Sequence, residues 1–144
     1  MNMGAQSLWL RTLVTLAQVS LFLMLFHTAD DFVRGEATQD QEALFGLVTL
    51  VVGVPYVFAL LWTWSQRVYG YWILLVANVL IFYGAFLSHT TRLGGAHGFA
   101  EMATQAGAWG PVMVTASFLS GVTTVTVVIL AAYFIYYNRR AATA

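Results

Sequence analysis

An all-α integral membrane four-helix bundle is the fold class this sequence predicts, and three observations predict it. Of 144 residues, 60% are hydrophobic and only 8% are charged, whereas about a quarter are charged in soluble domains. The apolar residues fall into four runs, each long enough for a helix of about 20 residues to cross roughly 30 Å of hydrocarbon. The ionisable residues gather at the ends of those runs. The length suits one transmembrane domain spanning residues 1–144.

The first helix is expected over residues 8–34, with its apolar run at Leu8–Phe26 interrupted by Arg11, Gln18 and small hydroxyls. A signal peptide is the rival for this run. Only Arg11 marks its basic side and no A-x-A-like site directly follows, so a retained helix is the expectation. The second helix is expected over residues 41–65. Thr38 and Gln41 before it fit a capping box, and Pro55 after Gly53 predicts a kink. The third covers residues 70–89, and the fourth residues 111–138, with Pro111 at a tolerated first-turn position. Strand readings of residues 48–54 and 122–129 are locally open. A membrane requires backbone groups to be satisfied internally, so helices are expected there. Between the last two helices, residues 96–109 place Phe99, Met102, Ala103, Ala106 and Trp109 on one helical arc. His97, Glu101, Thr104, Gln105 and Ala108 fall on the other, as in a short interfacial helix.

Arginine supplies every side-chain cation, because lysine is absent. Arg11, Arg67, Arg139 and Arg140 fall at one rim, Arg34 and Arg92 at the other. The bias predicts cytoplasmic N and C termini. Trp9, Trp62, Trp64, Trp72 and the aromatics from Tyr133 to Tyr137 fall at the same boundary, as an aromatic belt should. Every histidine and every acidic residue is then left at the outward rim.

That rim begins at FHTADDFVRG, residues 26–35. At about 100° per residue, His27, Asp30, Asp31 and Arg34 share one face of the first helix. His27 with Asp31, and His97 with Glu101, have i,i+4 spacing; His89 ends the third helix. His27, Asp30, Asp31, His89, His97 and Glu101 form a candidate nitrogen-and-oxygen ligand set for a divalent transition metal: zinc, copper(II), iron or manganese. Arg34 and Arg92 would orient the carboxylates or receive an anion. The alternatives are that the histidines merely mark helix ends, with Asp30 and Arg34 as a surface ion pair, or that His27 and His89 hold a b-type haem. Asp40 and Glu42 suit the start of the second helix as caps and dipole partners.

The run HTADDFVRGE, residues 27–36, resembles an H-x-x-D-D-h-x-R-G stretch in small bacterial four-helix membrane proteins of unknown function. The resemblance implies an inner-membrane location and carries no activity.

Within the bundle, Ser117-xxx-Gly121 and Ser120-xxx-Thr124 are small-residue patterns suited to close helix packing. Without cysteine, disulfides, thiolate metal sites and cysteine nucleophiles are excluded. G-x-S-x-G, phosphate-loop and H-E-x-x-H motifs are absent. No acid or histidine lies near the midplane, against an intramembrane proton-coupled carrier. No basic cluster beyond Arg139-Arg140 favours nucleic acid. The expected role is a non-enzymatic membrane subunit or interaction protein, with lipid and a membrane-protein partner or a second copy as its company. The alternative is a protein that binds a metal or small ligand at the outward rim.

Overall fold

The computed structural model describes residues 3–33, 39–91, 98–105 and 107–143, and all regular structure among them is helical. Helix α1 spans Met3–Val33, α2 spans Gln39–Trp64 and α3 spans Val68–Phe82. A π-helical turn, Tyr83–Leu87, leads directly into α4, Ser88–Thr91. The short helix α5 covers Phe99–Gln105, a 3₁₀ turn covers Gly107–Trp109, and α6 runs from Gly110 to Thr143. Helix α2 continues through Pro55.

Two of these helices are long and apolar enough to cross a membrane, over Ser7–Ala29 and Gly107–Arg140. Leu50–Trp64 and Val68–Phe82 are apolar but shorter. The third expected span is not one regular α-helix. Its α geometry stops at Phe82, although the helical path continues through the π turn to Thr91. There the Ser88 N–H reaches back five residues to the Tyr83 carbonyl. The Ser88 hydroxyl donates to the Gly84 carbonyl at 2.5 Å, giving that acceptor a partner.

Helix α1 packs on α2 and α6, and α3 packs on the same two, so α1 and α3 face each other diagonally. The centre between them is polar. Ser20 Oγ donates to Asn78 Oδ1 at 2.7 Å, while Asn78 Nδ2 donates to Tyr56 Oη at 2.9 Å and to the Leu74 carbonyl at 2.8 Å. Tyr56 Oη completes the chain by donating to the Ala17 carbonyl at 3.0 Å. All three side chains are fully buried. Both amide hydrogens of Asn78 are used, so the network ties three helices with its donors satisfied. Around it pack Leu13, Ala17, Ala59, Leu74, Ile81 and Val127, and Tyr71 stacks on Phe134 with centroids 5.2 Å apart.

The α2–α3 connection is short because α2 ends in a Schellman motif. The Arg67 N–H reaches the Trp62 carbonyl, the Gln66 N–H reaches Thr63, and Gln66 takes the left-handed φ of 56°. Gly70 then lets α3 close on α2: a Cβ there would lie 2.5 Å from the Thr63 backbone nitrogen.

The small-residue face of α6 points inward. Ser117, Ser120 and Thr124 are buried, and a Cβ on Gly121 would come within 2.8 Å of the Phe86 ring. A partner approaching that face would find it occupied by the chain's own Phe86. Thr123, Thr124 and Thr126 turn their hydroxyls back on α6 itself, donating to carbonyls four residues back.

Candidate functional site at a histidine pair

His27 belongs to the inward stripe of α1. It follows Leu13, Ala17 and Ser20 at alternating steps of four, three and seven residues, which return to one helical face. His89 lies just beyond the π turn. An extra residue in one turn rotates the downstream helix by about 100° against an unbroken α-helix. His89 thus takes the angular position residue 88 would have held, in line with Leu74 and Ile81, both buried.

The two rings meet. Nε2 of His27 and Nε2 of His89 are 3.0 Å apart, with the ring planes at 86° and centroids 4.9 Å apart. Both rings are half-buried. A hydrogen bond across this contact needs one N–H and one lone pair, so one imidazole donates and the other accepts. An aromatic wall stands on one side. The His89 ring lies 6.0 Å from Phe99, which stacks on Phe118 at 4.9 Å, and Phe86 packs edge-on to Phe118 at 5.5 Å. This wall ties α5 and α6 to the site.

The nitrogen separation restricts what the pair can hold. Two ligands at about 2 Å from one ion are about 4 Å apart when trans, roughly 3.3 Å apart at a tetrahedral angle and about 2.9 Å apart at a right angle. At 3.0 Å the pair fits adjacent positions on one ion. A bis-histidine porphyrin iron would need the wider trans separation of about 4 Å.

Glu101 does not join the histidines in a three-ligand group, and no such group occurs among the described residues. Its carboxylate Oε2 instead accepts from the Gly98 N–H at 2.9 Å, the reach-back half of a capping box at the start of α5. Asp30 and Asp31 lie on α1 beyond His27, with side chains outside the described set. Arg34, Arg92 and His97 lie outside the described residues altogether. Of the sequence-derived candidates, the structure therefore joins His27 and His89.

The chain matches no known family, curated protein or solved structure.

Residue spacing alone did not reveal the π turn or the aromatic wall. A weak signal was available in the phenylalanines at 82, 86, 99 and 118, which frame both ends of the loop between α4 and α5. Tyr56 was also missed as a polar partner, because a tyrosine among valines reads as an apolar body until its hydroxyl finds Asn78.

Proposed function

We propose that the protein is a multi-pass, four-helix integral membrane protein of a bacterial inner membrane. Its termini are cytoplasmic and its outward end binds a divalent transition metal through His27 and His89. It acts as a binding protein rather than a catalyst. The 3.0 Å Nε2 separation carries the metal reading.

Five features support the membrane placement. Two helices satisfy the length and apolarity of a span. The path from Val68 to Thr91 is continuous through its π turn and reaches roughly 35 Å at helical rise. Large apolar side chains stay exposed on all four long helical stretches, including Phe22, Leu61, Leu80 and Val122, which water would disfavour and acyl chains would accept. Arg139 lies over the Trp72 ring and Arg140 over Tyr136, pairing cations with belt aromatics at one rim. Along α1, Arg11 and His27 are separated by about 24 Å at helical rise, enough to put them at opposite boundaries.

As a metal site, the donor imidazole would carry its proton on Nδ1 instead, so that both neutral rings present Nε2 lone pairs to the ion. Asp31, one helical turn beyond His27, is the nearest sequence source of a further oxygen ligand. The carboxylates of Asp30 and Asp31, with His97, are proposed to complete the coordination, and Arg34 and Arg92 to orient them. Metal analysis of protein purified by mild extraction after growth with added metal tests this reading. Stoichiometric metal, lost in both His27→Ala and His89→Ala, is the expected result. Metal-free wild type, or variants that retain the full complement, would reject it.

A further inference from the structure

A second site lies at the other end of the molecule. The first turns of α1, the α2–α3 connection and the distal half of α6 enclose a cleft of about 410 Å³, a size suited to small ligands, whose pockets run from about 300 to 1,000 Å³. Arg11 and Gln66 give it polar donors, and Leu10, Trp64, Tyr71 and Phe134 form apolar and aromatic walls, with Ser7 at the edge. No acidic side chain lines it among the described residues. Arg11 is thus the one charged residue lining the cleft, a feature that suits an anionic ligand.

Two details direct the ligand class. Gln66 holds a left-handed backbone conformation that glycine would adopt without strain, yet this cleft-lining position carries a side-chain amide. The helices that line the cleft also carry exposed Leu8, Trp9 and Leu61, surface that accepts hydrocarbon. One guanidinium and an amide above an apolar floor suit a headgroup attached to a hydrophobic body. A free inorganic anion would gain nothing from the walls.

We propose that this cleft binds an anionic glycerophospholipid of the adjacent leaflet. Its phosphodiester sits on Arg11 and Gln66, and its glycerol and upper acyl chain lie along Leu10, Trp64 and Phe134. The site rests on the membrane placement above and is independent of metal at the histidine pair.

Native mass spectrometry of the full chain in a neutral maltoside detergent, with phosphatidylglycerol or phosphatidylcholine added, tests it. Wild type should retain one phosphatidylglycerol and bind phosphatidylcholine more weakly. Loss of a charged hydrogen-bonding group should cut phosphatidylglycerol binding about tenfold or more in Arg11→Gln. Arg11→Lys should keep most of it, and Arg67→Gln, outside the cleft, should bind as wild type does. Melting temperatures matching wild type exclude unfolding as the cause. Equal binding of the two lipids, full retention by Arg11→Gln, or displacement by equimolar inorganic phosphate would each overturn the proposal. Recovery of the protein in the soluble fraction of lysed cells would overturn this site and the membrane placement together, whereas a lipid-binding failure in membrane-extracted protein would sink the cleft alone.

Discussion

His27 and His89 touch nitrogen to nitrogen at 3.0 Å although 62 positions separate them in the chain. The contact joins the diagonal helices of the fold at one end, as Ser20 and Asn78 join them at the centre. Two N–H groups cannot face each other at that distance, so the pair exists only while at least one Nε2 keeps its lone pair. Metal binding needs both lone pairs, and protons compete for them. Metal occupancy should therefore fall on acidification, because a protonated imidazole offers the ion no lone pair. Metal analysis after equilibration at each pH measures it, and occupancy that stays level on acidification would contradict the nitrogen-ligand reading.

Replacing Asn78 by leucine should destabilise the protein. The change strands the Ser20 hydroxyl and removes the donor to Tyr56 and to the Leu74 carbonyl. Interhelical hydrogen bonds in membranes average about 0.6 kcal/mol, with a maximum near 1.7, so a loss of about 1–2 kcal/mol is expected. Tyr56→Phe, which removes one donated bond to Ala17 and one acceptor, should cost less. Reversible unfolding in mixed micelles would rank the two variants.

Gln66→Gly should stabilise the fold by about 0.5–1 kcal/mol, because glycine takes the left-handed C′ position of a Schellman motif without the Cβ clash. The same change deletes an amide from the cleft beside Arg11. A higher melting temperature with weaker phosphatidylglycerol binding is the expected combination.

Gly121→Leu should disturb folding rather than association. Even a Cβ at this position meets the Phe86 ring at 2.8 Å, so a leucine must displace that ring from the aromatic wall, at about 1–3 kcal/mol. Gly84→Ala is the control, since a Cβ there meets nothing within 4 Å. Equal melting temperatures for these two variants would show that α6 does not rely on Phe86 for its seat.

The helices were legible in the sequence because apolar runs of membrane length admit little else, and α1, α2 and α6 begin within a few residues of their expected starts. The partnership of His27 and His89 was legible only as a shared depth. Their meeting depends on diagonal packing and on the π turn, both set by side chains distant in sequence. The inward turn of Ser117, Ser120, Gly121 and Thr124 was not readable either. Small residues mark a close approach without saying whose side chain fills the space, and here it is Phe86. Glu101 also has a local use that its spacing to His97 concealed: three residues after Gly98, it closes a helix cap.

The π turn at Tyr83–Leu87 gives the third helical path two independent phases. Upstream of it the phase is fixed by Leu74, Asn78 and Ile81; downstream it answers to the histidine and the phenylalanines. Closing the turn into α-helix with every residue kept would swing His89 by about 100° away from His27. Deleting Gly84 as the turn closes would leave His89 where it is, with the centre around Asn78 unchanged in both cases. The chain thus stores one surplus residue in that turn, and the turn keeps the reactive end in register with the helices that hold it.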